Sequence, residues 1–245
     1  GSNRSITGLN FQPDFLWGKS RTNTLNHYLT DSVRGVNSQL YSDGTGSQGT
    51  ETVIYTAFNS DGFSLGTGDM NTSGQNYAHW AWKGGGTAST NEDGSIDSSV
   101  SANTTAGFSI VNWNGTEASA TVGHGLSQAP ELIIVKDVDS ARGWPSNIEN
   151  ITGTSNQYLL LNDADSAATS SAYWGGTPGA SVFTVGDSAN TNDDASMIAY
   201  CFHSVEGYSK VGSYAGNANA DGPFVYTGFR PAFVIIKATA GTEEW

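Results

Sequence analysis

Three stretches of this chain are copies of one another, and that constrains the fold more than any other feature. FQPDFLWGK (residues 11–19), QAPELIIVK (128–136) and FRPAFVIIK (229–237) each set a proline six residues before a lysine, with an apolar run between. Two lead-ins also match: GFSIVNWNG (107–115) corresponds to GYSKVGSYAG (207–216) at a spacing of 100. A second block closes the unit. GFSLG (62–66) aligns with VFTVG (182–186), and YAHWAWK (77–83) aligns with MIAYCFH (197–203), both at an offset of 120. Trp144 and Trp245 each lie eight residues after their lysine. Such periods mark an architecture built by copying one supersecondary unit. The expected organisation is a first copy over 1–88, a Gly/Ser/Thr-rich linker or long surface loop over 89–106, a second copy over 107–206 and the start of a third over 207–245. The third stops short of a full unit. Either the natural chain continues beyond Trp245, which is the favoured reading, or the last segment donates strands to the second unit.

The units read as strand and turn. In 77–83, Ala78, Trp80 and Trp82 share one face, and Ile198, Tyr200 and Phe202 share the corresponding face of the second copy. That face is expected to be core. The opposite face carries Tyr77 and His79, then Met197, Ala199, Cys201 and His203, and both histidines are expected at a surface or interface. The runs 132–135 and 233–236 are apolar on both faces, as central strands are. Asp43 with Gly44, Asp61 with Gly62, and Asn114 with Gly115 are turn signals. No amphipathic helix or heptad run is legible. The predicted class is all-β: tandem, jelly-roll-like β-sandwiches of about 100 residues each. A single larger concanavalin-like jelly roll made of two similar halves is the alternative.

Charge narrows the partners. Ten basic residues stand against 23 acidic ones, a net charge of −13. A phosphate backbone needs a basic footprint, so nucleic acid is excluded, and an anionic membrane surface is disfavoured for the same reason. No apolar run reaches the roughly 20 residues of a membrane span, so no membrane insertion is expected. The lone Cys201 cannot form an internal disulfide, and no Cys/His cluster has zinc spacing.

The search for chemistry returns little. There is no HExxH, no GxSxG elbow and no phosphate loop after Gly84 to Gly86. His124, in a glycine-flanked turn, is expected to bond to backbone. Cys201 corresponds to Ala81 and is expected to be a small buried residue. Asp14 and Glu131 are equivalent positions, but the third copy has Ala232 there, which points to surface rather than catalysis. Calcium is the one metal considered: Asp163 and Asp165, and Asp193 and Asp194, sit in oxygen-rich loops, though neither loop has EF-hand spacing. Trp113, Trp144 and Trp174 lie in or near Gly/Asn/Pro loops, where an exposed indole suits a glycan ring, so they are the candidate glycan-binding residues. Trp17, Trp80 and Trp82 read as core. The recurrence of Lys19, Lys136 and Lys237 reads as a structural salt bridge at a strand end, or as stem packing.

Longer phrases carry a resemblance. PDFLWGK, DSVRG (31–35), DGFSLG (61–66) and YAHWAWKGG (77–85), with TVGHGL, EGYSKVGSY and ADGPFVYTGFRPAF, resemble a repeat domain of tail-fibre and other structural proteins of marine phages and cyanophages. The second copy departs from the pattern, reading Asn150-Ile151-Thr152-Gly153 in place of DSVRG and lacking the Trp-Ala-Trp strand. The resemblance implies a virion or extracellular location and no catalytic residues. It implies self-association into a homo-oligomer, a trimer by analogy. The expected function is therefore a non-enzymatic structural or adhesive segment of a phage tail fibre, with host-surface glycan as a partner. A carbohydrate-active enzyme on a lectin-like jelly roll is one alternative. A cellular adhesin or filament subunit is the other.

Overall fold

A computed structural model describes residues 2–243. The first copy forms β1 (Arg4–Thr7), β2 (Phe15–Ser20), β3 (Tyr28–Asp31), β4 (Ser38–Tyr41), β5 (Gly49–Thr50), β6 (Tyr55–Asn59), β7 (Gly62–Leu65) and β8 (Tyr77–Trp82). Next come β9 (Ser89–Asn91) and β10 (Ser98–Asn103). The second copy forms β11 (Phe108–Asn114), β12 (Ala120–Gly123), β13 (Leu132–Asp137), β14 (Pro145–Asn147), β15 (Gln157–Leu160), β16 (Ala168–Thr169), β17 (Val182–Val185) and β18 (Ser196–Phe202). Among the described residues, helix is confined to α1 (Glu149–Thr152), α2 (Ala189–Asn192) and one 3₁₀ turn, Asp69–Asn71. The protein is an all-β sandwich.

The sequence copies are structural copies. β2 pairs antiparallel with β8, and β13 with β18, in the same register: Phe15 faces Trp82 as Leu132 faces Phe202, and Trp17 faces Trp80 as Ile134 faces Tyr200. β1 pairs with β7 as β12 pairs with β17. Each copy therefore contributes one large and one small sheet. The large sheets run β5-β4-β3-β2-β8 and β16-β15-β14-β13-β18-β11-β10-β9, and the small ones β1-β7-β6 and β12-β17.

Three apolar layers separate these four sheets. Leu16, Tyr55, Phe63 and Met70 fill the space between the first copy's two sheets. Val111, Trp113, Ile133, Phe183, Ala199 and Cys201 do the same in the second. Between the two large sheets lies a shared core of Phe15, Trp17, Leu29, Phe108, Ile110, Ile134, Trp144, Ile198 and Tyr200. β2 and β13 are thus buried on both faces, which is why their sequences are apolar without alternation. Trp80 and Trp82 pack against the shared core, as their face predicts.

Two expectations are corrected here. Residues 89–106 are not a linker: they carry β9 and β10, and β10 pairs along its length with β11. The signal is weak because serine dominates, yet Val100 enters the core and the Ser98 hydroxyl bonds to the Gly123 carbonyl. The face of β8 that bears His79 is not a surface. It lies under the small sheet, with the His79 ring 5.0 Å from Phe63 and 5.8 Å from Tyr55 between centroids.

The paired glycines Gly66 and Gly186 show how closely the copies agree. Their N–H groups donate to Ile54 and Tyr173 carbonyls, which are equivalent positions. A β-carbon at Gly66 would stand 2.4 Å from the Val53 carbonyl oxygen, and one at Gly186 2.0 Å from that of Ala172. Only glycine permits a neighbouring backbone to cross there. The third copy contains no strand among the described residues. Its Phe233 ring packs against Trp17, Trp80 and Trp82, and the alternate residues Val234 and Ile236 are exposed.

Candidate functional site

The polar centre of the molecule is a buried clamp across the shared core. Asp31, at the end of β3, accepts hydrogen bonds from the Val33 and Arg34 backbone N–H groups at 3.0 and 2.8 Å. Its other oxygen accepts from Arg34 Nε at 2.6 Å and from the Tyr200 hydroxyl of β18 at 2.8 Å. Arg34 Nη2 donates to that hydroxyl at 3.1 Å, and Nη1 donates to Gln48 at 2.9 Å. Burial opposes the charge on Arg34, but Asp31 and Tyr200 outweigh it and its pKa rises. Burial, with Asp31 adding to it, drives the Tyr200 phenol well above its usual range. The hydroxyl therefore stays protonated and bridges the two charges. A second peg crosses the same seam: Trp144 Nε1 donates to the Tyr41 and Gly44 carbonyls, each at 3.0 Å. The corresponding turn of the second copy runs from Glu149 to Gly153, and Gly153 N–H bonds back to Glu149 as Gly35 N–H does to Asp31. Glu149 there bonds to Asn156 N–H and the Thr177 hydroxyl, within its own copy.

The three candidate glycan-binding tryptophans are interior. Trp113 is 2 % exposed, and Trp144 and Trp174 are 0 % exposed. Trp113 and Trp174 belong to the second copy's own core and Trp144 to the shared one. The expectation that they stand open in loops is corrected: Trp113 lies within β11, and all three rings are covered by the protein's own side chains. The loops that hold the calcium candidates converge on Gly143 and Trp144, where Asn162 accepts the Trp144 N–H at 2.7 Å and Asn190 the Gly143 N–H at 3.3 Å. Asp163 accepts from the Asp165 N–H, Asp193 pairs with Arg142 at 3.3 Å, and Asp194 is exposed. Among the described residues, no three His, Cys, Asp or Glu side chains group closely enough to hold a metal.

The remaining reactive groups serve the backbone. His124 is buried, with Nδ1 accepting the Leu126 N–H and Nε2 against the Gly179 carbonyl. Cys201 is fully buried, and burial pushes its thiol up to about 12. His203, expected at a surface or interface, is also buried, and its Nδ1 lies 2.6 Å from Gln128. The three lysines share one device, and it is not a salt bridge. Lys19 bonds to the Leu25 carbonyl, Lys136 to those of Asp137 and Ser140 at 2.6 and 3.0 Å, and Lys237 to those of Asp163 and Glu243 at 2.6 and 2.7 Å. Lys19 and Lys136 bond to carbonyls at or just beyond the ends of their strands, whereas Lys237 joins one carbonyl of its own segment to one of the second copy. Trp245, the proposed counterpart of Trp144, lies outside the described residues.

One open cleft joins the copies. Gln12, Asp14, Lys83, Gly84 to Gly86, Ala102, Asn103 and Thr104 line about 380 Å³. Asp14 is buried, with one oxygen accepting the Gly84 N–H at 2.8 Å and the other without a partner. Its lining of carboxylate, ammonium, amide and backbone groups can hydrogen-bond a hydroxyl-bearing ligand. It contains no histidine or cysteine to act as a base or nucleophile.

No helix of the described residues is long and apolar enough to cross a membrane. No curated protein and no solved structure matches the chain. A family described as a domain of unknown function, DUF7483, matches residues 1–245, and the chain belongs to that family.

Proposed function

We propose that this protein is a non-enzymatic structural and adhesive segment of a phage tail fibre or related virion protein. The observation that carries the reading is the duplication. Two copies, joined by a shared core and a buried ionic clamp, make a stiff element that further copies can lengthen. The phrase-level resemblance to marine phage virion repeats supports the setting. A net charge of −13 suits a surface that must resist non-specific association. Host-surface glycan is the partner, and the cleft around Gln12 and Lys83 is its contact in place of the buried tryptophans. Repetition compensates for weak single contacts.

The test is glycan-array and whole-cell binding by the purified chain, alongside Gln12→Ala and Lys83→Ala chains of unchanged melting temperature. Binding that falls with these substitutions supports the adhesive role. Release of reducing ends from marine polysaccharides, abolished by Asp14→Asn or Glu131→Gln, would overturn the non-enzymatic reading.

A further inference from the structure

A small pocket at one end of the first copy's sandwich carries polar groups that the fold does not require. Tyr28 and Tyr41 stand opposite each other on β3 and β4, and with Glu51, Val53, Gly68 and Asp69 they line about 200 Å³. The two rings meet edge to face at 5.0 Å between centroids. Tyr28 is buried, and its hydroxyl donates to the Asp69 carboxylate at 3.1 Å. Burial, and then the charges of Glu51 and Asp69, raise the Tyr41 pKa, so both carboxylates act on the same space. Asp69 is exposed at the rim and Glu51 is half-buried. Among the described residues neither carboxylate forms an ion pair, and the Glu51 carboxylate has no hydrogen-bond donor.

The second copy supplies the comparison. Tyr28 faces Tyr41 as Pro145 faces Leu160. Glu51 N–H donates to the Asn37 carbonyl as Ser170 N–H does to that of Asn156, and Gly68 N–H to Val53 as Ser188 N–H to Ala172. Asp69 follows Gly68 as Ala189 follows Ser188. The same backbone therefore closes with Pro145, Leu160, Ser170 and Ala189 in place of two phenols and two carboxylates. What gathers those four groups in the first copy is a ligand rather than the fold.

The lining selects the ligand's charge. A half-buried carboxylate without a partner is costly, and a cation offsets that cost. Phenol ring faces attract a cation as well. Calcium takes six to eight oxygens, and among the described residues no third His, Cys, Asp or Glu joins these two. A primary ammonium has three donors, a number that two carboxylates and the Tyr41 oxygen match. The volume lies below the roughly 300–1,000 Å³ of pockets that enclose drug-sized ligands, so it takes one headgroup. We infer that this pocket binds the ammonium group of a small polar amine of the amino-sugar class, with Glu51 and Asp69 accepting its N–H groups and Tyr28 and Tyr41 forming its walls. The site is separate from the cleft around Gln12 and Lys83 and stands whether or not that cleft is adhesive.

The experiment titrates glucosamine into the isotope-labelled full chain at low ionic strength and follows its amide resonances. The expected result is saturable shifts confined to the neighbourhood of Tyr28, Tyr41, Glu51 and Gly68, weakened by added salt. N-acetylglucosamine, with the same ring and no charge, produces none. Glu51→Ser and Asp69→Ala install the second copy's own residues, so the circular dichroism spectrum and melting temperature are unchanged. Glu51→Ser weakens glucosamine binding about tenfold or more, the loss of one charge-assisted hydrogen bond. No saturable shift with glucosamine would overturn the inference, as would an equal response to both sugars. Unchanged binding by Glu51→Ser would do the same. Calcium shifting these amides at lower concentration than glucosamine would also overturn it, since the pocket would then be a metal site.

Discussion

Removing the Tyr200 hydroxyl isolates the clamp that joins the two copies. Tyr200→Phe keeps the ring, which stacks on Phe15 at 4.3 Å between centroids, so packing is preserved. It deletes a 2.8 Å bond to Asp31 and a 3.1 Å bond from Arg34. Asp31 keeps two backbone N–H donors and Arg34 Nε, while Arg34 Nη2 keeps only a 3.5 Å contact to the Leu29 carbonyl. Hydrogen bonds to charged groups contribute about 1.5–3 kcal/mol each. Because both partners retain other bonds, the expected loss is about 2 kcal/mol, or roughly 4–8 °C in a domain of this size. Arg34→Met removes the cation itself and leaves a buried carboxylate, which costs about 3–5 kcal/mol. Urea denaturation followed by tryptophan fluorescence and circular dichroism measures both, and the double variant closes a cycle. A coupling energy above about 1 kcal/mol is expected. A Tyr200→Phe loss under about 0.5 kcal/mol, or strict additivity with Arg34→Met, would refute the claim that these groups act as one buried unit.

Three further outcomes are expected. His79 is held neutral by burial, with its pKa pushed down to about 4 from 6.5. Above 6.5 it is neutral whether folded or not. Below that the unfolded chain takes up the proton first, so stability falls by roughly 2–3 kcal/mol between about pH 6.5 and 4. His79→Leu flattens that part of the pH–stability curve, and a curve unchanged in shape would count against the assignment. Gly186→Ala forces a β-carbon onto the Ala172 carbonyl and lowers stability by about 3 kcal/mol in denaturant titrations. Gly153→Ala, at φ +72° with open space around it, costs only about 1–2 kcal/mol. Lys136→Met strips a donor from two loop carbonyls and costs about 1–3 kcal/mol, read as a shift in urea midpoint at constant slope.

What was legible came from the copying. An offset of 117 between PDFLWGK and PELIIVK, and of 120 between YAHWAWK and MIAYCFH, translates into the same strand pair twice, in the same register. The absence of alternation in 132–135 marked a strand covered on both sides. His124 and Cys201 were readable because a glycine-flanked turn and an aromatic strand leave few places for them. The clamp was missed, although Asp31 and Arg34 in DSVRG carried a signal. In a chain only 13 % charged, an aspartate and an arginine three apart beside an apolar strand are candidates for a buried pair.

The sequence by itself determined the repeat and the all-β class, because copied phrases and local alternation are both written in the order of the residues. Tertiary structure alone decided that faces and loops of open appearance are interior. Trp113, Trp144 and Trp174 sit in sequence surroundings that suit exposed loops, and His79 sits on a polar strand face; all are covered, because another layer arrives from far along the chain. Burial depends on what packs against a face, and local pattern records only which side a residue is on. The same reason hid β10, whose serines look like a loop until β11 lies beside them, and the lysines, whose partners are carbonyls that every sequence possesses.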